Sequence, residues 1–379
     1  MKKKFIITTT IPLSLGFFKG QVQELKKVFD IEVISSPGEL LDVFCTKEKV
    51  KGYYVAMNRE ISILRDIVSL YRLVKMFFKI KPAIIHGSTP KAGLLSMIAG
   101  WANKVPTRIY YVHGLRYQGV HGIKKHLLIL MEKLSCFFAT HVYAVSFGVK
   151  NVLEKDGITK KNIHIIGCGS VNGVDLDYFS ILNPDINDLK ENYNLTSNNF
   201  VFGFVGRLVK DKGIHELVNA FLRINKTNKN ARLLIVGDFE NEDAVDANIV
   251  QEIKMNPAIV FVGFQTDIRP FLKMMDVFVF PSYREGFGVS LMEAAAMEVP
   301  AISSDIIGCN EIIENGYNGM LIPSKSEEHL FLAMNKLSSN EKMLKEMSRV
   351  ARTHVKKKYG QKELWENTLK SYTQVVENV

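Results

Sequence analysis

Residues 278–302 read FVFPSYREGFGVSLMEAAAMEVPAI, and this stretch decides the fold. It opens on apolar residues around Val279, turns at Pro281–Ser282, passes through a glycine-containing loop, and continues into helix formers from Val289. A second apolar run ends at Ile302. The order predicts strand, loop, helix and strand, the repeating unit of an α/β sheet. Two carboxylates, Glu285 and Glu293, stand eight residues apart across the loop-to-helix junction. A loop that opens a helix offers free backbone N–H groups and the positive end of the helix dipole, which favour an anion such as a diphosphate. Gly286 and Gly288 let the backbone come close to a ligand. Carboxylates accept hydrogen bonds from vicinal hydroxyls, so Glu285 and Glu293 suit a polyhydroxyl ligand.

The same alternation runs outward in both directions. The first half predicts strands at Lys4–Thr9, Ile31–Ser35, Ala83–His86, Arg108–Val112, His141–Val145 and Asn162–Ile166. The second half predicts Val201–Val205, Arg232–Val236, Ile259–Val262, Val277–Pro281, Ala301–Ser303 and Gly319–Ile322. Helices fill the gaps, for example Gln21–Phe29, Gly213–Ile224 and Ser326–Leu337. A chain of 379 residues is too long for one ordinary core, so two domains are expected. The expected linker is Gly173–Asn183, followed by a polar stretch from Pro184 to Asn199. The domains are then 1–181 and 182–359. Residues 360–379 form a final helix marked by Leu364, Trp365, Leu369, Tyr372, Val375 and Val376.

Composition bounds the function. The chain is 47% hydrophobic and 23% charged, as a globular enzyme is. Cys45, Cys136, Cys168 and Cys309 are scattered with no His cluster nearby, which argues against a disulfide framework or a zinc site and for a reducing cytoplasm. The apolar run in MKKKFIITTTI ends at Pro12 and Gly16 without a cleavage site, so it reads as a first buried strand and not as a signal peptide. No stretch reaches the roughly 18 apolar residues of a membrane span. The charge is lopsided: residues 1–181 hold 26 Lys+Arg against 13 Asp+Glu, while 182–379 hold 23 against 26. A basic first half implies an anionic partner, a phosphorylated acceptor or an anionic lipid surface. No nucleic-acid-binding pattern supports the remaining option.

A second stretch carries chemistry: GFVGRLVKDKGIHELVNAF, residues 203–221. A strand ends at Gly206, Arg207 and Lys212 follow, and a helix opens near Gly213. Cations at the carboxyl end of a strand suit a diphosphate in the crevice of an α/β sheet. His113-Gly114 follows another strand, as does His86-Gly87, where a locally bonded histidine is the simpler reading. Two tempting motifs fail. Asp175-Leu176-Asp177 falls in the linker and reads as a turn. Residues 167–173, GCGSVNG, mimic a dinucleotide fingerprint, but no helix can follow them through Pro184.

The carboxylate pair spaced eight apart, with Arg207 and Lys212, resembles the E-x7-E signature of retaining family 4 glycosyltransferases, which transfer a sugar from a nucleotide donor. The resemblance runs through the chain in order. It implies the GT-B fold, two Rossmann-like parallel-sheet domains facing a central cleft, with the last helix crossing back to the N-terminal, acceptor-binding domain. It implies that Arg207 and Lys212 neutralise the leaving diphosphate as the glycosidic C–O bond breaks. Glu285 then holds the sugar, Glu293 the ribose, and His113 the reactive side of the sugar. The donor site would include Gly16, Gly206, Val262, Phe264, Gly286, Phe287, Gly288, Val289, Ser290 and Leu291. Gly16 stands in the loop IPLSLGFFKG, residues 11–20, which departs from the family's usual Gly-Gly pair. There the aromatics Phe17 and Phe18 suit acceptor contact better than phosphate. Asn310-Glu311 would open a helix beside the donor. No metal or other cofactor is implied. The donor implied is a UDP-sugar, its hexose or N-acetylhexosamine passing to a glycan hydroxyl. Tyr283-Arg284 before Glu285 resembles enzymes that extend lipid-diphosphate-linked glycans for capsule or O-antigen. A sugar-nucleotide epimerase on the same fold and a non-catalytic binding protein are the competing readings.

The helix predicted around Glu60–Lys81 carries Arg65, Arg72, Lys75 and Lys79 within an arc of about 80°. Two readings stay open: the solvated face of a domain helix, or a contact with an anionic membrane at the inner face of the cell.

Overall fold

The computed structural model describes residues 2–182 and 187–377; Asn183 and Pro184, at the end of the expected linker, lie outside them. The chain divides into two compact units, one of residues 1–173 with 361–379 and one of residues 174–360. The division falls at Gly173/Val174, earlier than the 181/182 boundary read from composition. Asp175 explains part of the difference: its carboxylate accepts the backbone N–H groups of Asp177 and Tyr178 at 3.0 Å each, so the D-x-D is an Asx-type turn inside unit 2.

Unit 1 holds seven strands: β1 (Lys3–Thr8), β2 (Phe29–Ser35), β3 (Lys51–Tyr54), β4 (Ile84–Ser88), β5 (Thr107–Val112), β6 (His141–Ala144) and β7 (Ile163–His164). They pair in parallel in the order β3-β2-β1-β4-β5-β6-β7. Phe5, Ile6, Ile7, Ile84, Ile85 and Ile109 are fully buried, the pattern of a sheet covered on both faces. Three helices, Ile63–Ile80, Pro90–Ala102 and Gly122–Phe138, pack side by side with the second in the middle. The sequence reading missed β3, because an edge strand reading KGYY has no apolar run. It also ran the first helix to Phe29. That helix stops at Leu25, because Phe29 already pairs with Lys3 as the start of β2.

The last helix, Gln361–Glu377, belongs to unit 1 although the chain reaches it from unit 2. It buries Leu364, Thr368, Tyr372, Val375 and Val376. Tyr372 Oη lies 2.9 Å from His86 Nε2, and Ser371 Oγ lies 2.7 Å from Tyr143 Oη. Trp365 donates its indole N–H to Asn172 Oδ1 at 2.7 Å. His86 therefore serves the packing of this helix.

Unit 2 holds β8 (Phe200–Val205), β9 (Ala231–Val236), β10 (Ile259–Gly263), β11 (Val277–Phe280), β12 (Ala301–Ser304) and β13 (Gly319–Ile322), all parallel in the order β10-β9-β8-β11-β12-β13. In each unit the strand order reverses once, between β1 and β4 and between β8 and β11. The loops leaving those strands open a crevice at the carboxyl edge, where α/β sheets bind ligands.

Candidate active site

In unit 2 the loops after β8 and β11 meet at that crevice. Lys212 and Glu285, 73 residues apart, form a hydrogen-bonded ion pair there. Their side chains are only 14% and 13% exposed. The Lys212 ammonium also stands 5.2 Å from the centre of the Phe280 ring. Gly213 makes the approach possible. It sits at φ +70°, and a Cβ there would lie 2.1 Å from the Pro281 carbonyl oxygen. Asp211 stitches the loops further. Its carbonyl accepts Tyr283 N–H at 2.7 Å and Ser282 Oγ at 3.2 Å, and its carboxylate pairs with Arg284 at 3.2 Å. Tyr283 Oη donates to the Glu216 carboxylate, 2.6 and 2.7 Å from its two oxygens.

The helix Val289–Ala296 starts where the Glu285 loop ends, and a third loop fixes that start. Gly288 N–H donates to the Gly308 carbonyl at 3.0 Å. Gly308, at φ +76°, lies so close that a Cβ would stand 2.6 Å from Gly286 O. Phe287 is buried with its ring 5.4 Å from Tyr359, and Leu291 is buried below. Val289 and Ser290 keep part of their surface open on the first turn. Glu293, at the start of the second turn, keeps some exposed surface, but burial pushes its carboxyl up to about 7. Among the described residues that carboxyl has no hydrogen-bond partner, so it is suited to a ligand hydroxyl. Burial raises the Cys309 thiol, and the nearby Glu285 charge raises it further.

The remaining donor candidates are more dispersed. Gly206 ends β8 with its N–H on Val236 O at 3.0 Å. Arg207 is half-exposed and turned to Glu240 at 2.7 Å, apart from the Lys212–Glu285 pair. At the end of β10, Val262 C=O accepts Gln265 at 2.9 Å, and Phe264 N–H donates to Asp238 at 3.1 Å with its ring exposed. Both backbone groups thus already have partners. Asn310 and Glu311 stand in a turn and open no helix, since Asn310 is folded back onto Asp305 at 2.9 Å.

Unit 1 has its own candidate at the β1/β4 reversal. His113 leaves β5 with Nε2 2.5 Å from Ser88 Oγ, at the end of β4. Its ring stacks on Tyr111 at 4.7 Å and meets Phe17 at 4.8 Å. Its Nδ1 is buried without a partner. Burial lowers its pKa to about 3, so the imidazole is neutral at pH 7. Phe17 belongs to a short 3-10 helix, Pro12–Phe18, into which the loop is wound with Gly16 exposed.

Sequence reasoning did not single out Asp211 or Glu216. Their only signal was adjacency to Lys212 and the first turn of the next helix. Tyr283 was noticed, but not as a clamp.

Comparison with known proteins agrees with this architecture. Residues 24–178 match glycosyltransferase family 4, and residues 185–354 match the glycosyl transferases group 1. The capsular polysaccharide biosynthesis glycosyltransferase CapM of Staphylococcus aureus is 35% identical over 373 residues, 98% of this chain and 97% of that protein. The UDP-Gal:alpha-D-GlcNAc-diphosphoundecaprenol alpha-1,3-galactosyltransferase of Escherichia coli is 30% identical, covering 93% of this chain and 92% of its own length. The crystal structure of Anabaena HepE with UDP and glucose superimposes with a TM-score of 0.83 over 98% of this chain and 100% of that one, at 19% identity. These matches follow from the order of elements and the two sheet reversals described above: the chain belongs to the family 4 glycosyltransferases and has their GT-B fold.

Proposed function

We propose that this chain is a retaining, metal-independent transferase that moves a hexose or N-acetylhexosamine from a UDP-sugar to a hydroxyl of a lipid-diphosphate-linked glycan in bacterial surface-polysaccharide assembly. The observation that carries this reading is the Lys212–Glu285 pair at the β8/β11 crevice, with the unpartnered Glu293 carboxyl on the helix that follows the Glu285 loop. The E-x7-E spacing supports retention. The E. coli relative's lipid-diphosphate acceptor and the staphylococcal relative's capsular role support the acceptor class.

In this reading unit 2 binds the donor. Lys212 holds the leaving diphosphate, and Arg207 swings from Glu240 to join it. Glu285 accepts hydrogen bonds from the sugar, and Glu293 from the ribose. The glycosidic C–O bond to phosphate breaks as the acceptor oxygen bonds the same carbon, and the acceptor proton passes to the leaving phosphate oxygen. Negative charge then grows on the diphosphate, which is where Lys212 stands. Unit 1 receives the acceptor, and neutral His113 offers a hydrogen bond to the sugar without adding charge. An acceptor carried on lipid brings the basic unit 1 to the inner face of an anionic membrane.

Replacing Lys212 by Ala should lower kcat by about 10² to 10³ with each accepted donor, the usual loss when one charge-stabilising group is removed. Thermal shift across UDP- and GDP-sugars should single out UDP forms. A Lys212→Ala enzyme with unchanged kcat would overturn the assignment.

A further inference from the structure

The outer face of unit 1 exposes large apolar side chains next to the cations of its basic helix. On Ile63–Ile80 the residues that meet the core are Ser69, Leu73 and Phe77. The opposite side exposes Ile63, Leu64, Ile67, Val68, Tyr71 and Phe78, with Ile63 and Leu64 at 73% and 80%. At about 100° per residue these six fall in one arc of about 140°. Arg65, Arg72 and Lys79 border that arc on one side and Lys75 lies just within its edge, all four exposed. The helix Gly122–Phe138 repeats the arrangement. Ile123, Leu127, Leu130 and Phe137 are exposed within an arc of about 80°, Ile123 at 88%. Lys124 and Lys133 are exposed beside them, while Lys125 is exposed on the other side of the helix. Both helices flank Pro90–Ala102 on the same side of the sheet, so the two stripes face the same way.

Charge identifies the occupant. Each helix contains a single acid, and each acid is engaged. Asp66 pairs with Lys91 at 2.7 Å, and Glu132 is buried and accepts Tyr110 Oη at 2.7 Å. The exposed sides of these two helices are therefore apolar and cationic with no free carboxylate. A second copy placed on them would set like charges opposite each other. An anionic bilayer supplies both complements, acyl chains for the stripes and headgroups for the borders.

We propose that unit 1 docks on anionic membranes by inserting the exposed stripes of these two helices into the headgroup boundary, with the bordering Lys and Arg on phosphates. The contact is hydrophobic insertion as well as charge attraction. The helix N-termini lie at the edge where β4 and β5 end, as the Lys91–Asp66 pair between two first turns shows. Insertion therefore sets the lipid surface beside the edge that carries Ser88 and His113. The inference deepens the lipid-linked reading of the acceptor but is tested without it.

The experiment is flotation of the full chain with phosphatidylcholine vesicles, with and without phosphatidylglycerol. It compares the wild type, Leu64→Glu with Ile123→Glu, and Arg72→Glu with Lys75→Glu. All four positions are exposed, so the fold and turnover of a short, water-soluble acceptor should persist. The wild type should float with anionic vesicles and keep part of that binding in high salt. The apolar-to-Glu pair should lose about ten-fold in partitioning at every lipid composition. The charge-reversal pair should lose binding only to anionic vesicles. A wild type that stays in solution, or a Leu64→Glu/Ile123→Glu chain that floats like the wild type, would overturn the proposal. So would a concentration-dependent dimer abolished by the same substitutions with lipid binding unchanged. Flotation without turnover on any acceptor would leave the docking face standing and refute the transferase reading of the acceptor.

Discussion

Removing the Glu285 carboxylate should destabilise unit 2 more than removing both members of its ion pair. Glu285→Ala strands the Lys212 ammonium in a place where its side chain is only 14% exposed. Breaking a fully buried pair from one side costs about 3–5 kcal/mol, because the surviving charge has lost its water and its partner. Two features reduce that figure. Some water reaches both groups, and the Phe280 ring face, 5.2 Å from the ammonium, remains as a weak partner. An expected loss of about 2–3 kcal/mol follows, or roughly 5–10 °C in the melting transition of a unit this size. Lys212→Met in the same background removes the stranded charge and keeps the aliphatic stem against Phe280. The double variant should therefore recover about 2 kcal/mol of the loss. UDP, whose phosphates can take the carboxylate's place beside Lys212, should raise the melting temperature of Glu285→Ala more than that of the wild type. The assay is chemical denaturation of the four chains of the cycle, with and without UDP. Additive single losses, with no coupling between the two positions, would refute the claim that this pair is a partly buried, mutually dependent unit.

Two further outcomes are expected. The Glu293 carboxyl stands at about 7 in the folded chain against an ordinary 4.5, so the folded state keeps its proton while the unfolded chain has released it. This contribution falls as pH rises from about 4.5 to 7 and is flat above. Glu293→Gln should be stabler than wild type at pH 8 by up to about 3 kcal/mol without donor, with the difference vanishing below pH 4.5. Equal pH profiles for the two chains would count against burial as the cause. Separately, Tyr372→Phe removes the 2.9 Å bond to His86 and leaves a buried ring nitrogen unsatisfied, a loss of about 1–2 kcal/mol measurable by urea denaturation.

The sheets were legible because buried parallel strands are continuous apolar runs, and Phe278–Phe280 or Phe5–Ile7 cannot be solvated at low cost. β3 was not legible, because KGYY gains its place from the edge of β2 and not from its own burial. Lys212 and Glu285 could be nominated separately from strand-end position. Their hydrogen bond could not, since 73 residues separate them and only the β8/β11 adjacency joins the loops. Asp211 is harder still. Its service is mainly through a carbonyl oxygen, which every residue has, so its side chain gives little warning. The helix Glu60–Lys81 shows the opposite limit. Its basic arc could be read from periodicity, but which apolar side met the core could not, because both sides are apolar in sequence and only packing separates Leu73 from Leu64.

The last helix is made from the final residues of the chain yet completes the first unit. During synthesis, residues 1–173 leave the ribosome well before Tyr372 exists. Until then Phe5, His86 and Tyr143, which its ring covers in the finished protein, lack that cover. The N-terminal half must therefore wait, incompletely closed, while the second unit is translated and can fold on its own. A premature stop within residues 361–377 would damage the half made first, and a chaperone-dependent nascent chain is the natural expectation.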